Sequence, residues 1–207
     1  MMGFQEGWVS ILSRTLVCGT VGLGYVGLPL AVEKAKAGFK TIGFDVQADK
    51  VDMVNRGENY IGDVVQEDLA ALVEAGTLEA TCDFSRVAEC GFVAICVPTP
   101  LDAHQMPDTS YMEASAREIA PYIREGCMVV LESTTYPGTT EELILPILEE
   151  GSGLKCGEAS TWASLPSAWI LATSSTRPRT RPRWWAPSAR RRSSSSARST
   201  RRCSRGA

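Results

Sequence analysis

The sequence lacks the patterns that mark disulfide-rich, zinc-binding and membrane-spanning proteins. It has seven cysteines, an odd number with no C-x-x-C pair, and a single histidine, His104. These counts argue against a disulfide scaffold or a zinc site and favour a reducing compartment. No apolar run approaches the roughly 20 residues needed to cross a bilayer. The start "MMGFQEGWVSILSR" lacks the basic segment and cleavage site of a signal peptide. We therefore expect a cytoplasmic protein with no metal site and no membrane partner.

Acidic residues are absent after Glu158, and this absence divides the chain into two unlike parts. Residues 1–158 contain all 24 Asp and Glu but only 10 of the Lys and Arg, a net charge of −14. Residues 159–207 contain 11 Arg and no Lys, a net charge of +11. Such asymmetry is typical of a globular body joined to a basic tail that contacts nucleic acid or an anionic surface.

The part before Glu158 alternates short apolar runs with segments of helical spacing. The runs "RTLVCGTV", "FKTIGFD", "FVAICVP" and "CMVVLEST" are typical of buried strands, and a further short strand is expected at Leu78–Thr81. Helical periodicity is found in "YVGLPLAVEKAKAG", "ADKVDMVNRG", "QEDLAALVEAG", "SYMEASAREIAPYIREG" and "GTTEELILPILEEG", each ending at a glycine. This order predicts an α/β fold of Rossmann type, a doubly wound parallel sheet with helices on both faces.

The stretch "GLGYVG" places Gly22, Gly24 and Gly27 in G-x-G-x-x-G spacing between a predicted strand and a predicted helix. The first glycine permits a tight turn, and the second lets backbone N–H groups approach a pyrophosphate. The third lets the helix pack close to the sheet. The helix N-terminus adds unpaired donors and a partial positive charge. The pattern therefore predicts a dinucleotide site.

Asp45 ends the second predicted strand, eighteen residues after Gly27. A carboxylate at that position accepts hydrogen bonds from the adenosine ribose hydroxyls, and it repels the 2′-phosphate of NADP. The expected cofactor is therefore NAD. The alternative is a tight strand-to-helix turn followed by a solvated aspartate.

Four motifs occur in a fixed order, "VGLGYVGLPLA", "GFKTIGFDVQADKV", "AICVPTPL" and "LESTTYPGTT". With them the chain resembles, from about Ser13 to Glu158, the NAD-binding domain of the UDP-glucose/GDP-mannose dehydrogenases, in particular the bacterial UDP-N-acetylglucosamine and UDP-N-acetylmannosamine 6-dehydrogenases. The resemblance implies an oxidoreductase of polysaccharide biosynthesis that converts the C6 hydroxyl of a UDP-sugar to a carboxylate with two NAD, through intermediates on a cysteine. The related β-hydroxyacid and 6-phosphogluconate dehydrogenases share the Rossmann start but are not expected to contain the last two motifs.

The resemblance also implies roles for residues in each motif. Tyr25 and Val26 are expected beside the NAD pyrophosphate, and Asp45 and Lys50 beside the adenosine ribose. Two threonines are expected at strand ends near the cofactor, and Thr134 is also expected to help place a catalytic water. The implied cofactor-binding set is Gly22, Gly24, Tyr25, Val26, Gly27, Asp45, Lys50, Thr99 and Thr134.

Simpler interpretations of several polar residues stay open. Lys50 also fits a solvated lysine on a helix, Thr99 a residue that caps a turn, and Thr134 an ordinary strand threonine. Glu132 fits a solvated or paired carboxylate better than a general base. His104, in the polar loop "LDAHQMPD", fits a surface histidine better than a proton shuttle.

The resemblance stops at Glu158, and a change of reading frame explains the residues that follow. Codons compatible with Ala159–Thr173, regrouped from the third base of the first codon, translate as F-Y-L-G-F-S-P-E-R-V-D-P-G-N, which is how the family continues. The same register permits N-T-P-K-V-V-G within "RTRPRWWA", another family phrase. Tryptophan has one codon, and the four tryptophans after Glu158 all fit. Loss of one base near codon 159 therefore accounts for the tail.

These observations predict an N-terminal leader (1–12), an NAD-binding Rossmann domain (13–158) and a frameshifted, disordered basic tail (159–207). The family's nucleophilic cysteine, its sugar-binding domain and its long homodimer helix lie beyond the break. We therefore expect a truncated, inactive fragment with one unpaired sheet edge. The alternative is a genuine tail, which makes the chain a non-catalytic NAD-binding module that contacts nucleic acid. Eleven Arg, no Lys and no supporting motif make this the weaker interpretation.

Overall fold

A computed structural model describes residues 10–101, 107–136, 138–155 and 161–164, and these residues belong to one compact unit, Met1–Ala172. His104 lies outside the described residues, as does the predicted disordered tail beyond Ser164.

The described chain alternates strands and helices in the predicted order. The strands are β1 (Cys18–Val21), β2 (Thr41–Phe44), β3 (Leu78–Thr81), β4 (Phe92–Ile95), β5 (Met128–Leu131) and β6 (Thr161–Ser164). The α-helices are α1 (Gly27–Lys36), α2 (Ala48–Asn55), α3 (Gln66–Glu74), α4 (Ser110–Ile119) and α5 (Leu145–Ser152). Short 3₁₀ turns cover Phe84–Glu89 and Ala120–Tyr122, and a π-helical turn covers Thr140–Ile144.

The six strands form one parallel sheet in the order β3-β2-β1-β4-β5-β6. The chain therefore leaves β1 in one direction to build β2 and β3, and then crosses back to start β4 on the other side of β1. This reversal of direction is the feature of a doubly wound sheet that creates a crevice at the carboxyl ends of the strands. The predicted Rossmann fold is confirmed.

Each face of the sheet has its own apolar core. On one face, side chains such as Phe44, Ile95 and Leu131 pack with Met112 of α4 and Leu148 of α5. The other core is formed by Leu23 and by buried residues of α1, α2, α3, β3 and the loop between α2 and α3. They are Leu23, Leu28, Ala31, Val32, Ala35, Val51, Val54, Ile61, Val64, Leu69, Leu78 and Ala80. Burial on both sides explains why β1, β2, β4 and β5 show no alternation of buried and exposed residues. Strand β3 does alternate, with half-buried Glu79 and Thr81 each after a buried apolar residue.

Two prolines divide helices that the sequence pattern predicts as continuous. Pro121 follows α4 in a 3₁₀ turn, and Pro146 lies in the first turn of α5, just after the π-helical turn. Proline has no N–H for the bond to the fourth preceding carbonyl, so the helical ladder is interrupted at both positions. The last helix also ends later than predicted, because Gly153, with φ 71°, forms the left-handed cap in place of Gly151.

Strand β6 corrects the expectation of an unpaired edge. It pairs in parallel with β5, with Met128 opposite Thr161 and Leu131 opposite Ser164. Its residues lie beyond Glu158, the position at which the sequence analysis expected the family resemblance to stop. The main-chain groups of β5 therefore have a partner on both sides, because ladder hydrogen bonds depend on the backbone and not on side-chain identity.

Neither a membrane span nor a metal site is present in the described ranges. None of their helices is long and apolar enough to cross a bilayer. Within the same ranges, no group of three or more His, Cys, Asp or Glu side chains could hold a metal ion.

Candidate cofactor site

The carboxyl ends of the central strands are aligned along one edge of the sheet. Val21 of β1 lies opposite Phe44 of β2 and Ile95 of β4, and Ile95 lies opposite Leu131 of β5. The segments that follow these strands contain every predicted site residue. A parallel register thus brings together residues from four separate motifs, although they are up to about a hundred positions apart in the chain.

The glycine loop has two glycines whose missing side chains are required by close contacts. Gly22 has φ 88°, and a Cβ placed on it would lie 2.8 Å from the Cys96 carbonyl oxygen. A Cβ on Gly27 would lie 1.7 Å from the Gly22 carbonyl oxygen, which is sterically forbidden. Gly24 differs, because a Cβ there would meet nothing within 4 Å. The first and third glycines therefore shape the turn, and the second leaves an open approach to the backbone.

The N–H groups of this loop are available to a ligand. Leu28 donates its N–H to the Gly24 carbonyl at 3.1 Å, which begins the helical ladder of α1. Among the described residues, the N–H groups of Gly24, Tyr25 and Val26 have no hydrogen-bond acceptor. They stand at the N-terminal end of α1, where the helix dipole is positive. A pyrophosphate is the kind of group that satisfies such donors.

Asp45 directly follows β2 and is buried, with 7% of its surface exposed. Its Oδ2 accepts the N–H of Leu23 at 2.8 Å, and its Oδ1 accepts the N–H of Gln47 at 2.9 Å. The carboxylate thus joins the glycine loop to the end of β2. A carboxylate has roughly four acceptor positions, so two remain for ribose hydroxyls. The alternative of a solvated aspartate does not describe this buried residue.

Three further predicted residues lie in or near the glycine loop and the segment after Asp45. Tyr25, at the tip of the glycine loop, is 77% exposed, and Val26 beside it is half-buried. Lys50 is half-buried in the first turn of α2, which begins next to the Gln47 that donates to Asp45. Their positions are compatible with a dinucleotide that lies along the sheet edge, and their contacts with a cofactor stay predictions.

The predicted threonines follow β4 and β5. Thr99 is half-buried and Thr134 is exposed. The segments that carry them are joined by Ser133, whose hydroxyl donates to the Val97 carbonyl at 2.8 Å. Beyond Thr134, the hydroxyls of Thr135 and Thr139 are 2.8 Å apart, and Thr139 also donates to the Tyr136 carbonyl at 2.8 Å. The Ser133 bond holds the loop after β5 against the loop after β4, and the two threonine bonds brace the loop after β5 internally.

Buried thiols in the described chain are poorly suited to nucleophilic chemistry. Burial raises the pKa of Cys90, Cys96 and Cys127 to about 12, so each stays a thiol at neutral pH. Cys96 lies at the sheet edge, directly after β4, but it packs against the glycine loop as an apolar side chain. Burial also raises the pKa of the Glu132 carboxyl, while the charge of Lys34 lowers it.

Sequence reasoning missed two residues that shape the site. Tyr60, in the loop between α2 and α3, donates its hydroxyl to the Leu23 carbonyl at 2.7 Å. Ser133 lies inside a quoted motif but was not assigned a role. Both act through hydrogen bonds across more than thirty residues of chain, and the sequence has no periodic signal for such contacts. An aromatic hydroxyl within the polar stretch "ENYIGD" is the only visible hint of the first.

The geometry fits a dinucleotide. Free N–H donors at a helix N-terminus, an open side at Gly24 and a buried carboxylate at the next strand end are the three parts that such a ligand requires. The profile of the UDP-glucose/GDP-mannose dehydrogenase family, NAD binding domain, matches residues 16–166. The chain belongs to this family. The cofactor of the domain is NAD, in agreement with the sequence prediction.

Individual relatives agree with the family assignment. Over 145 residues, 70% of this chain, it is 38% identical to a UDP-N-acetyl-D-glucosamine 6-dehydrogenase of Pseudomonas aeruginosa, of which it covers 33%. Over 127 residues, 59% of this chain, it is 41% identical to a UDP-N-acetyl-D-mannosamine dehydrogenase of Escherichia coli K12, of which it covers 29%. The chain thus spans about a third of the length of the curated relatives it matches.

Solved structures show the same fold. A GDP-mannose dehydrogenase from Pseudomonas aeruginosa, seen in a ternary complex, superposes with a TM-score of 0.67 at 33% identity, over 72% of this chain and 35% of that one. An NDP-N-acetyl-D-galactosaminuronic acid dehydrogenase from Methanosarcina mazei gives a TM-score of 0.69 at 37% identity, over 77% of this chain and 36% of that one.

Proposed function

We propose that this chain is the NAD-binding part of a nucleotide-sugar 6-dehydrogenase and that alone it binds NAD without oxidising a sugar. The parent enzyme oxidises the C6 hydroxyl of a UDP-sugar, a UDP-N-acetylhexosamine, to a carboxylate for polysaccharide synthesis. We assign homodimer formation and sugar binding to the parent. The free, buried thiols of the described residues support a cytoplasmic location.

The observation that carries the proposal is the junction between the glycine loop and Asp45. The Leu23 N–H lies 2.8 Å from the carboxylate that ends β2. This bond keeps the pyrophosphate-binding loop and the ribose acceptor in one rigid unit, so a dinucleotide meets both without reorganisation. A fixed negative charge at that position also favours the free ribose of NAD over the phosphorylated ribose of NADP.

The catalytic part of the proposal concerns Thr134 and the residues around it. Thr134 is exposed at the carboxyl edge of the sheet, beside the cofactor site, and we propose that it helps to hold a water molecule there. NAD supplies the hydride acceptor when it is bound. We assign the nucleophilic thiolate of the parent to another segment, because Cys90, Cys96 and Cys127 stay protonated at neutral pH and no cysteine of this chain lies in the family's nucleophile motif.

Calorimetric titration of the full chain tests this function. We expect saturable binding of NAD, weaker binding of NADP by roughly tenfold or more, and no NADH when NAD and UDP-N-acetylglucosamine are both supplied. Absence of NAD binding by a folded chain would refute the cofactor role. Production of NADH by the purified chain would refute the inactive-fragment role.

Resequencing of the coding DNA across codons 150 to 210 tests the frameshift separately. We expect that restoring one base near codon 159 opens a frame that encodes F-Y-L-G-F-S-P-E-R-V-D-P-G-N and a downstream cysteine motif. If no neighbouring frame continues the enzyme, the arginine-rich segment is a genuine part of this protein.

The charge of that segment supports a second candidate, a non-catalytic NAD-binding module that contacts nucleic acid. Its net charge of +11 arises from 11 arginines after Glu158. Such a module binds random duplex DNA with an affinity that falls steeply as salt is raised, and it loses this binding when the chain is cut after Glu158. If the full chain does not bind duplex DNA even at low salt, the nucleic-acid-binding function is excluded.

A further inference from the structure

Both peptide groups of Leu23 are held by side chains from distant parts of the chain. The N–H of Leu23 donates to Asp45 Oδ2 at 2.8 Å, and its carbonyl accepts the hydroxyl of Tyr60 at 2.7 Å. Leu23 itself is fully buried in the core under α1, α2 and α3. The first turn of the glycine loop is therefore clamped from two sides, and the second clamp is a tyrosine outside every dinucleotide motif.

The position of Tyr60 is itself well defined. Its ring packs on the same apolar core as Leu23, and the residue is half-buried. The preceding residue, Asn59, accepts the Ile61 N–H at 2.8 Å and donates its side-chain amide to the Ile61 carbonyl at 2.7 Å. The Asn59 N–H also donates to the Gln66 side chain at 2.8 Å, which ties the loop to α3. Tyr60 thus presents its hydroxyl from a braced loop.

The ionisation of Tyr60 favours the donor role. Burial, together with the negative charge of Asp45, raises the pKa of its hydroxyl well above the ordinary value for tyrosine. The hydroxyl therefore stays protonated over the physiological range and donates to the carbonyl.

The Leu23 carbonyl and the Gly24 N–H belong to the same peptide plane. In a trans peptide these two groups point in opposite directions, and rotation about the bond is strongly hindered. Holding the carbonyl toward Tyr60 consequently turns the Gly24 N–H to the opposite side. That N–H has no acceptor among the described residues, and the space at Gly24 is open to 4 Å.

We propose that Tyr60 is a positioning residue that fixes the Leu23–Gly24 peptide so that the Gly24 N–H points at the cofactor pyrophosphate. This inference rests on the proposed NAD-binding function and adds a residue to it. Tyr60 does not touch the cofactor. It acts through the backbone of the glycine loop, and its hydroxyl prevents the peptide from turning its carbonyl oxygen toward the phosphates.

The test replaces Tyr60 by phenylalanine in the full chain, which removes one hydroxyl and keeps the ring in the core. Tyr122→Phe is the matched control, because Tyr122 lies in the 3₁₀ turn that leads to the amino end of β5, away from the site. We expect Y60F to weaken the binding of NAD and of ADP roughly three- to tenfold, which is the range expected for one lost hydrogen bond. The affinity for AMP, which has the ribose but no pyrophosphate, should fall by less than about twofold. Y122F should change none of the three.

A measurement without ligand makes the inference independent of cofactor binding. In ¹H–¹⁵N spectra of the free protein, Y60F should shift the Gly24 amide signal and Y122F should leave it in place. A Gly24 signal that does not move in Y60F, or equal losses of affinity for AMP and ADP, would overturn the positioning role. If the unmodified chain binds no NAD, the proposed function fails, and the Gly24 signal still decides whether Tyr60 orients this peptide.

Discussion

Replacing Gly27 by alanine is expected to unfold much of the domain and to abolish NAD binding. The added Cβ would lie 1.7 Å from the Gly22 carbonyl oxygen and 2.9 Å from its carbon, so the backbone itself must move. Helix α1 would have to retreat from the sheet, although its Leu28, Ala31 and Val32 are at most 2% exposed. We expect a loss of about 3 kcal/mol or more in the free energy of unfolding, measured by urea denaturation.

Gly24→Ala is the matched control for this experiment. Because a Cβ at Gly24 meets nothing within 4 Å, we expect the free energy of unfolding to change by less than about 1 kcal/mol. The methyl group would nevertheless occupy the open side of the loop, so NAD binding should weaken. Equal stability of the two variants would contradict the close packing of α1 on β1.

Replacing Asp45 by asparagine is expected to lower both stability and cofactor selectivity. The carboxylate accepts the N–H groups of Leu23 and Gln47, and an asparagine can accept only one of them while its NH₂ faces the other. Leaving one buried donor unsatisfied costs about 1–3 kcal/mol. Loss of the negative charge should also reduce the preference for NAD over NADP by roughly tenfold. Urea denaturation and titration with each dinucleotide measure the two effects.

Asp83→Asn provides the comparison. Asp83 Oδ1 accepts the Ser85 N–H at 3.0 Å, two residues on, as Asp45 Oδ1 does with Gln47. It lies on the exposed side of a 3₁₀ turn after β3, so its replacement should cost less than about 1 kcal/mol. Dinucleotide binding should be unchanged in D83N. An undiminished preference of D45N for NAD would show that another group excludes the 2′-phosphate.

The sequence was most informative where one residue type meets a strict local requirement. Gly22 and Gly27 are needed because neighbouring carbonyl oxygens leave no room for a Cβ, so the motif reports the turn directly. The parallel direction of the strands likewise follows from their alternation with helices, because parallel strands need crossover connections. Pro146 indicates an interruption of the helix, but nothing in the local pattern predicts the π-helical turn at Thr140–Ile144.

Contacts between distant segments were the part that the sequence did not reveal. Asp45 was predicted as a ligand for ribose, whereas the fold also uses it as an acceptor for the glycine loop, 22 residues earlier. Strand β6 was expected to be missing because the sequence motifs of the family were followed only to Glu158, whereas the family match extends to residue 166. An edge strand needs only backbone N–H and C=O groups in extended conformation.

By itself, the sequence determined the fold class, the glycine loop, the acid at the second strand end and the family. It did so because local steric requirements and periodicity restrict which residue types occur at neighbouring positions. The tertiary structure decided that Tyr60 and Asp45 hold opposite ends of the Leu23 unit and that Ser133 joins the loops after β4 and β5. Those bonds link residues 22 to 37 positions apart. The Asp45 and Ser133 bonds depend on the alignment of neighbouring strand ends in the parallel sheet. The Tyr60 bond depends on how the loop between α2 and α3 packs on the core beside Leu23.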